Sequence, residues 1–388
     1  MRNESMVIRC SIVRGGTSKA IFIMKNELPS DEKERDKVIL ALFGSPSLRQ
    51  LDGLGGADPT TSKVAIISPP SRDDADIDYT FGQVSMDKAF IDYGGNCGNI
   101  SSGVGPFAIH YGLVKAVEPI TTVRIHMTNT GHIITARVPV ENGKPCVDGD
   151  CKIGGVPGTA APIEMDWSEA LGCTTGNILP TGNPKDEVEM DGRTYSVSVV
   201  DGGNTVIHVK AEDFGKTGIE TPSELNEDKE FSYKVEKLRG IVCKKLGLVE
   251  RWEDAREELP YQPFLALITK PISYETYTGE HIDKNDLDII ARIWIMQQIV
   301  KAYPGTATVS TGCAARIKGT LVYEIISGET KKKEYLNIGH PTGTIKVYSV
   351  VDDSNSILPV FKRLSFVRTA RVLMDGYAYV RKSDIKRL

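Results

Sequence analysis

The chain has 388 residues, 40% hydrophobic and 25% charged, a balance that excludes disordered, collagen-like and coiled-coil classes. Its 47 basic and 51 acidic residues leave a formal charge of −4, and no basic run exceeds Lys331-Lys332-Lys333, which argues against nucleic acid or an anionic membrane as partner. Seven cysteines without a Cys-x-x-Cys, six histidines without HExxH or HxH spacing, and no apolar run near 18 residues point to a cytoplasmic protein without a disulfide framework or a spanning helix.

Taken in chain order, 37 glycines and 20 prolines punctuate many short apolar runs. Strands are predicted at 6–13, 20–24, 63–68, 120–127, 133–140, 195–200, 206–209, 264–269, 320–326 and 343–351. His126 and His132, split by the turn-like Asn129-Thr130-Gly131, are expected on facing strands of a hairpin. Helices are predicted at 32–43, where Val38, Ile39, Leu42 and Phe43 share a face ahead of Gly44, and at 102–111, 232–246 and 285–303. The last is apolar on nearly every side, which predicts a buried helix wrapped by sheet.

The chain also repeats itself. Residues 10–29 echo 197–214, residues 64–70 echo 265–271, and Tyr93-Gly-Gly-Asn-Cys-Gly echoes Tyr303-Pro-Gly-Thr-Ala-Thr, all in one order. Three ordered matches predict a duplicated α+β unit with its seam near residues 180–195, where the stretch 181–187 suits a linker. The expected domains are 1–185 and 186–388, with the last strands free to return to the first. Aligned this way, Lys63 stands opposite Phe264 and Cys97 opposite Ala307, so the first half is where chemistry is expected.

Several loops concentrate hydrogen-bond donors. In Gly95-Asn96-Cys97-Gly98-Asn99 the thiol precedes an apolar run, where N–H groups at a helix start favour a thiolate and also bind a carboxylate. An incidental buried cysteine in a turn is the plainer reading. Against it, five glycines and two asparagines between 92 and 107 are costly unless the backbone approaches a ligand. The glycine-rich loop 52–62 feeds a strand that starts at Lys63; it lacks the Gly-Lys-Ser/Thr order and following helix of a P-loop, and taken alone Lys63 reads as a surface lysine. Arg14-Gly-Gly-Thr-Ser-Lys19 gathers hydroxyls and two cations suited to carboxylates, or else simply turns a hairpin. Weaker signals are Ser310–Arg316, whose Cys313 reads first as a small core residue, and Gly339–Gly343. Cys146 and Cys151 lie close in sequence but have no histidine nearby to complete a zinc site.

Together these segments resemble the PrpF family: Arg14-Gly-Gly-Thr-Ser-Lys19, Asp58-Pro with Ser62-Lys63-Val-Ala-Ile66, Gly95-Asn-Cys97-Gly-Asn99, Thr311-Gly with Ala315-Arg316, and His340-Pro-Thr-Gly343. The resemblance spans essentially the whole chain. The family's activities are 2-methylaconitate cis–trans isomerase, 3-methylitaconate Δ-isomerase and 4-oxalomesaconate tautomerase, and the sequence is most similar to the second group. The resemblance implies a diaminopimelate-epimerase-like α+β fold, two similar units each with a sheet curled around a central helix. It also implies Lys63 and Cys97 as the catalytic pair, and no metal, nicotinamide or pyridoxal cofactor.

The expected partner is a small di- or tricarboxylate, moved between isomers by proton abstraction and reprotonation, with a homo-oligomer as the other expected association. Candidates for holding its carboxylates are Thr17, Ser18, Lys19, Ser62, Asn96, Gly98, Asn99, Thr311, Gly312, His340, Thr342 and Gly343, which lie on the donor-rich loops. Epimerases of this fold use two facing cysteines. With Ala307 opposite Cys97, an amino-acid epimerase would need Cys313 as its second thiol. A non-catalytic carboxylate-binding protein, in which Cys97 is dispensable, is the third reading.

Overall fold

The computed structural model describes residues 4–352 and 358–388. Two compact units divide the chain. The first takes the described residues up to Lys152, Val156–Met165 and Arg368–Leu388; the second takes Ile153–Gly155 and the described part of Asp166–Val367. The division lies ahead of the expected seam at 185, because residues 166–185 are tied into the second unit. Trp167 N donates to Leu364 O, and the Asp201 carboxylate accepts from Thr174 N and Thr175 N.

In the first unit the elements are β1 (Ser5–Gly15), β2 (Ser18–Met24), α1 (Glu32–Phe43), β3 (Lys63–Ser68), β4 (Ile77–Val84), α2 (Gly98–His110), β5 (Ile120–Met127) and β6 (His132–Glu141). Strands β1 and β2 pair antiparallel, β2 and β3 parallel, β3 and β4 antiparallel, β4 and β5 parallel, and β5 and β6 antiparallel. His126 and His132 do fall on the facing strands β5 and β6.

The second unit runs β7 (Arg193–Asp201), β8 (Thr205–Lys210), α3 (Lys229–Lys245), β9 (Phe264–Thr269), β10 (Ile289–Ile295), α4 (Gly305–Ala314), α5 (Leu321–Ile325), β11 (Tyr335–His340) and β12 (Gly343–Asp352). Its pairings repeat those of the first in the same order and directions. Then β13 (Val360–Arg368) pairs with β12, and β14 (Ala370–Arg381) returns to pair with β1. Each unit is therefore one copy of a curled sheet around a central helix.

The central helices explain much of the unusual composition. Twelve of the 13 residues of α2 and all ten of α4 are buried. Their small residues let the sheet close in: a Cβ at Gly103 would lie 2.9 Å from Val13 Cγ1, one at Gly105 2.8 Å from Val138 Cγ2, and one at Gly312 2.8 Å from Val347 Cγ2. Part of the glycine content of 92–107 thus serves packing, not a ligand. Helix α1 forms where capping and periodicity agree: Asp31 Oδ1 accepts from Glu34 N at 3.0 Å, and Gly44, at φ 74°, ends it.

Two predicted elements are corrected. The stretch 285–303 is not a helix; its apolar part is strand β10, buried at every residue, with Ile289, Ile290, Ile293 and Ile295 filling both faces. A seven-residue run apolar but for Arg292, with no alternation of polar and apolar faces, cannot be told from a buried helix by periodicity. Conversely, 320–326 is not a strand, because Thr320 Oγ1 accepts from Tyr323 N at 3.2 Å and caps the short helix α5. Among the described residues no helix is long and apolar enough to cross a membrane.

Candidate active site

Strand β3 begins at Lys63, which is buried to 6% exposure. The antiparallel register sets Gln83 of β4 directly opposite. Lys63 Nζ donates to Gln83 Oε1 and sits 5.2 Å from the centroid of the Phe81 ring. Gln83 Nε2 in turn donates to Ser62 O at 2.9 Å and Pro59 O at 3.2 Å. Burial pushes the Lys63 pKa down, and the charges of Cys97 and Asp58 pull it back only in part. Ser62 is committed to the scaffold, its hydroxyl donating to Val84 O and accepting from Gln50 Nε2.

Cys97 is the N-cap of α2 and is 7% exposed. Its backbone is extended, at φ −124° and ψ 99°, and its carbonyl accepts from Ser101 N at 2.9 Å and Ser101 Oγ at 2.8 Å. The thiol therefore stands at the end of the helix where N–H groups have no intrahelical acceptor, those of Gly98 and Asn99 among them. Cys97 and Lys63 are near enough to couple electrostatically.

The loop Gly15–Ser18 meets α2 beside that cap. Asn99 Nδ2 donates to Thr17 Oγ1 at 3.0 Å and to Ser18 Oγ at 3.5 Å, while Asn99 Oδ1 accepts from Arg368 Nε at 2.9 Å. Gly16, at φ 50°, has no room for a Cβ, which would collide with the Asn99 carboxamide. Lys19 N donates to Thr60 O, which ties this loop to the 52–62 loop ahead of Lys63. Arg14 is a pin: Nη1 donates to Gly16 O at 3.0 Å and Thr369 O at 2.8 Å. Asn96 is wholly buried in the same turn. Thr17, Ser18, Lys19, Ser62, Lys63 and Asn96–Asn99 are all carried by the first unit.

Two residues of this cluster escape sequence reasoning. Gln83 is an ordinary polar residue in a strand, and only the register shows its partner. Arg368 lies in a basic stretch with Lys362, Arg363 and Arg371, 269 positions from the asparagine it binds. Its guanidinium is buried, and desolvation lowers its pKa to about 10, against the opposing pull of Cys151 and Cys97.

The second unit holds the other candidates, and they are differently engaged. Thr311 and Gly312 lie inside α4, not on a loop. The Thr311 hydroxyl is bonded to Tyr303 OH at 2.8 Å and His208 Nε2 at 3.1 Å. His208 is buried and its pKa falls to about 4, which keeps the imidazole neutral. His340, Thr342 and Gly343 form the tight β11–β12 turn, in which His340 Nδ1 accepts from Thr342 N at 3.3 Å. Cys313 is the ninth residue of α4 and fully buried; burial, and then Asp201, pushes its thiol pKa upward. The N-cap of α4 is Pro304, so the residue that matches Cys97 by helix start is Pro304, three positions before Ala307. Neither carries a proton to give.

Among the described residues no group of three or more His, Cys, Asp or Glu side chains lies together as a metal ion would need. What the first unit brings together is a buried amine of lowered pKa, a thiol at a helix cap and a ring of N–H and O–H donors, an arrangement able to move protons beside a bound anion. The chain is 48% identical to 3-methylitaconate isomerase of Eubacterium barkeri over 99% of its own length and 100% of that protein's. The crystal structure of a methylitaconate Δ-isomerase superposes with a TM-score of 0.83 at 48% identity, covering 98% of this chain and 97% of that one. A hydroxyproline epimerase from Agrobacterium vitis shares the fold alone, with a TM-score of 0.56 at 10% identity over 97% of this chain and 93% of that one. The family model described as PrpF protein matches residues 5–381, and the chain belongs to the PrpF family.

Proposed function

We propose that this isomerase shifts a carbon–carbon double bond within an unsaturated dicarboxylate, converting 3-methylitaconate to 2,3-dimethylmaleate, with Lys63 and Cys97 as its proton carriers. The observation that carries the reading is a buried amine, Lys63, and a thiol at the α2 cap, Cys97, on one unit, in a chain 48% identical to a 3-methylitaconate isomerase.

The proton to be moved is both allylic and α to a carboxylate. Its removal leaves a dienolate, a third negative charge on a dianion, and its return to the methylene carbon completes the shift. Such an intermediate needs fixed donors and positive charge near it, and each well-placed donor contributes about 3–4 kcal/mol in comparable sites. Lys63 supplies an amine that burial brings toward the working pH range of an acid or base. Cys97 supplies a thiol at the positive end of α2, and the helix-start N–H groups, with Thr17 and Ser18, supply donors for a carboxylate. Each proton transfer uses a side-chain carrier. The reading places the enzyme in a reducing cytoplasm, consistent with seven cysteines that all stand as free thiols.

The test is an ultraviolet assay of the purified protein with 3-methylitaconate, 2-methylaconitate and 4-oxalomesaconate in parallel. The expected result is fastest turnover of 3-methylitaconate, lost in Lys63→Met and Cys97→Ser. Faster turnover of either other acid would reassign the substrate, and full activity of both variants would overturn the site.

A further inference from the structure

We propose that Gln83 is the positioning residue for Lys63, a neutral carboxamide that aims the amine without balancing its charge. The inference rests on the reading of Lys63 as a proton carrier and adds the group that makes such a carrier workable.

Three observations support it. First, the direction of the carboxamide is locked. Both Nε2 hydrogens are taken by main-chain carbonyls, Ser62 O and Pro59 O, so the oxygen alone is left to face Lys63 Nζ. A flipped amide would set its NH2 against the ammonium and its oxygen against two carbonyls, losing every one of these bonds. Second, the same three bonds tie the end of the 52–62 loop to β4, so the start of β3 and the amine's partner are fixed together.

Third, the fold does not require this pair. In the second unit Phe264 occupies the place of Lys63, and continuing the Leu265↔Trp294 pairing by one residue sets Ile295 opposite it. The polar partner is present where the lysine is present and apolar where it is not. A carboxylate at the same place would make a buried ion pair and hold the amine permanently protonated. A carboxamide accepts a hydrogen bond from either the amine or the ammonium. Beside Gln83, the Cys97 thiol from the α2 cap and Asp58 from the 52–62 loop act on the Lys63 charge, and the Phe81 ring from β4 lies 5.2 Å from its Nζ.

The test follows the amine directly. Protein labelled with nitrogen-15 at lysine Nζ is titrated by NMR, with the Lys63 signal assigned through Lys63→Met, in wild type, Gln83→Glu and Gln83→Met. Gln83→Glu should raise the Lys63 midpoint by about one pH unit or more, move the corresponding limb of the kcat/KM profile with it, and cut turnover at pH 7 by about tenfold or more. Gln83→Met should lower the midpoint and reduce kcat more than it raises KM. A Lys63 midpoint that is the same in all three proteins overturns the proposal, whatever the turnover. If Gln83→Glu fails to fold, an unmoved midpoint in Gln83→Met overturns it equally. If the midpoints move as described while 3-methylitaconate is not turned over, the positioning role stands and the substrate assignment falls.

Discussion

Replacing Lys63 by methionine keeps most of the side chain's length while removing its amine, and the consequence can be measured in stability before any substrate is added. Burial lowers the Lys63 pKa in the folded protein. In the unfolded chain the same amine titrates near 10.4. Between those two values the unfolded state holds a proton that the folded state has released, so wild-type stability rises with pH, by about 1.4 kcal/mol per unit where the two states differ by one full proton. The contribution is complete above the unfolded value and is lost as pH falls through the folded one. The variant lacks the amine and the slope. Leaving Gln83 Oε1 without its donor costs about 1–3 kcal/mol, but that offset is the same at every pH. Urea unfolding of both proteins at steps from about pH 7 to 10, the range below the ordinary lysine value, gives the difference. Wild type minus variant should grow with pH. A difference that stays flat or shrinks would mean that Lys63 titrates as an ordinary or strengthened ammonium, and the physical basis for a proton carrier would be gone.

Cys97→Ser keeps the shape of the cap but replaces the thiol by a hydroxyl, a far weaker acid that stays protonated at neutral pH, so turnover should fall by about 10²-fold or more, with circular dichroism unchanged. Arg368→Met strips the guanidinium donor from the buried Asn99 Oδ1; a loss of about 1–3 kcal/mol in urea unfolding is expected, with a fall in kcat that Arg368→Lys only partly restores, since an ammonium lacks the planar fork. Cys313→Ala, which removes a buried thiol of raised pKa from α4, should leave turnover within about threefold of wild type while lowering stability by about 1 kcal/mol. A collapse of activity in that variant would revive a two-thiol mechanism.

The legible parts of the fold are those in which local signals agree. Helix α1 was readable because an apolar stripe and a terminal glycine coincide, and the Asp31 cap fixes its start. Strands β3, β5 and β9 were readable because short β-branched runs are bounded by turns. Strand β10 was not, since a seven-residue run buried on both faces has no period to read. Among the candidates, Lys63 and Cys97 stand out in the sequence because the internal repeat lacks counterparts for them. Gln83 and Arg368 could not, because their roles depend on which residue faces them. Strand register sets that for Gln83, and the return of the chain's last strands to the first unit sets it for Arg368.

The duplication also supplies an internal control. The second unit builds the same sheet around the same kind of helix with Phe264 and Ile295 where the first has Lys63 and Gln83, and with Pro304 where it has Cys97. Its loop equivalent to Gly15–Ser18 is closely packed as well: a Cβ at Gly203 would lie 2.8 Å from the ring of Trp167, just as one at Gly16 would collide with the Asn99 carboxamide. The sheet and helix thus form without a polar side chain at the places of Lys63, Gln83 and Cys97, and an amine placed there carries a desolvation cost that the fold has no need to bear. Groups held at such a cost are the ones to expect in chemistry. A two-base racemase needs one group to take a proton and a second to give one back. Pro304 has none to give, which supports the proposal that both carriers come from the first unit. A double-bond shift asks for nothing more, because the proton removed from one carbon can be returned to another carbon of the same molecule.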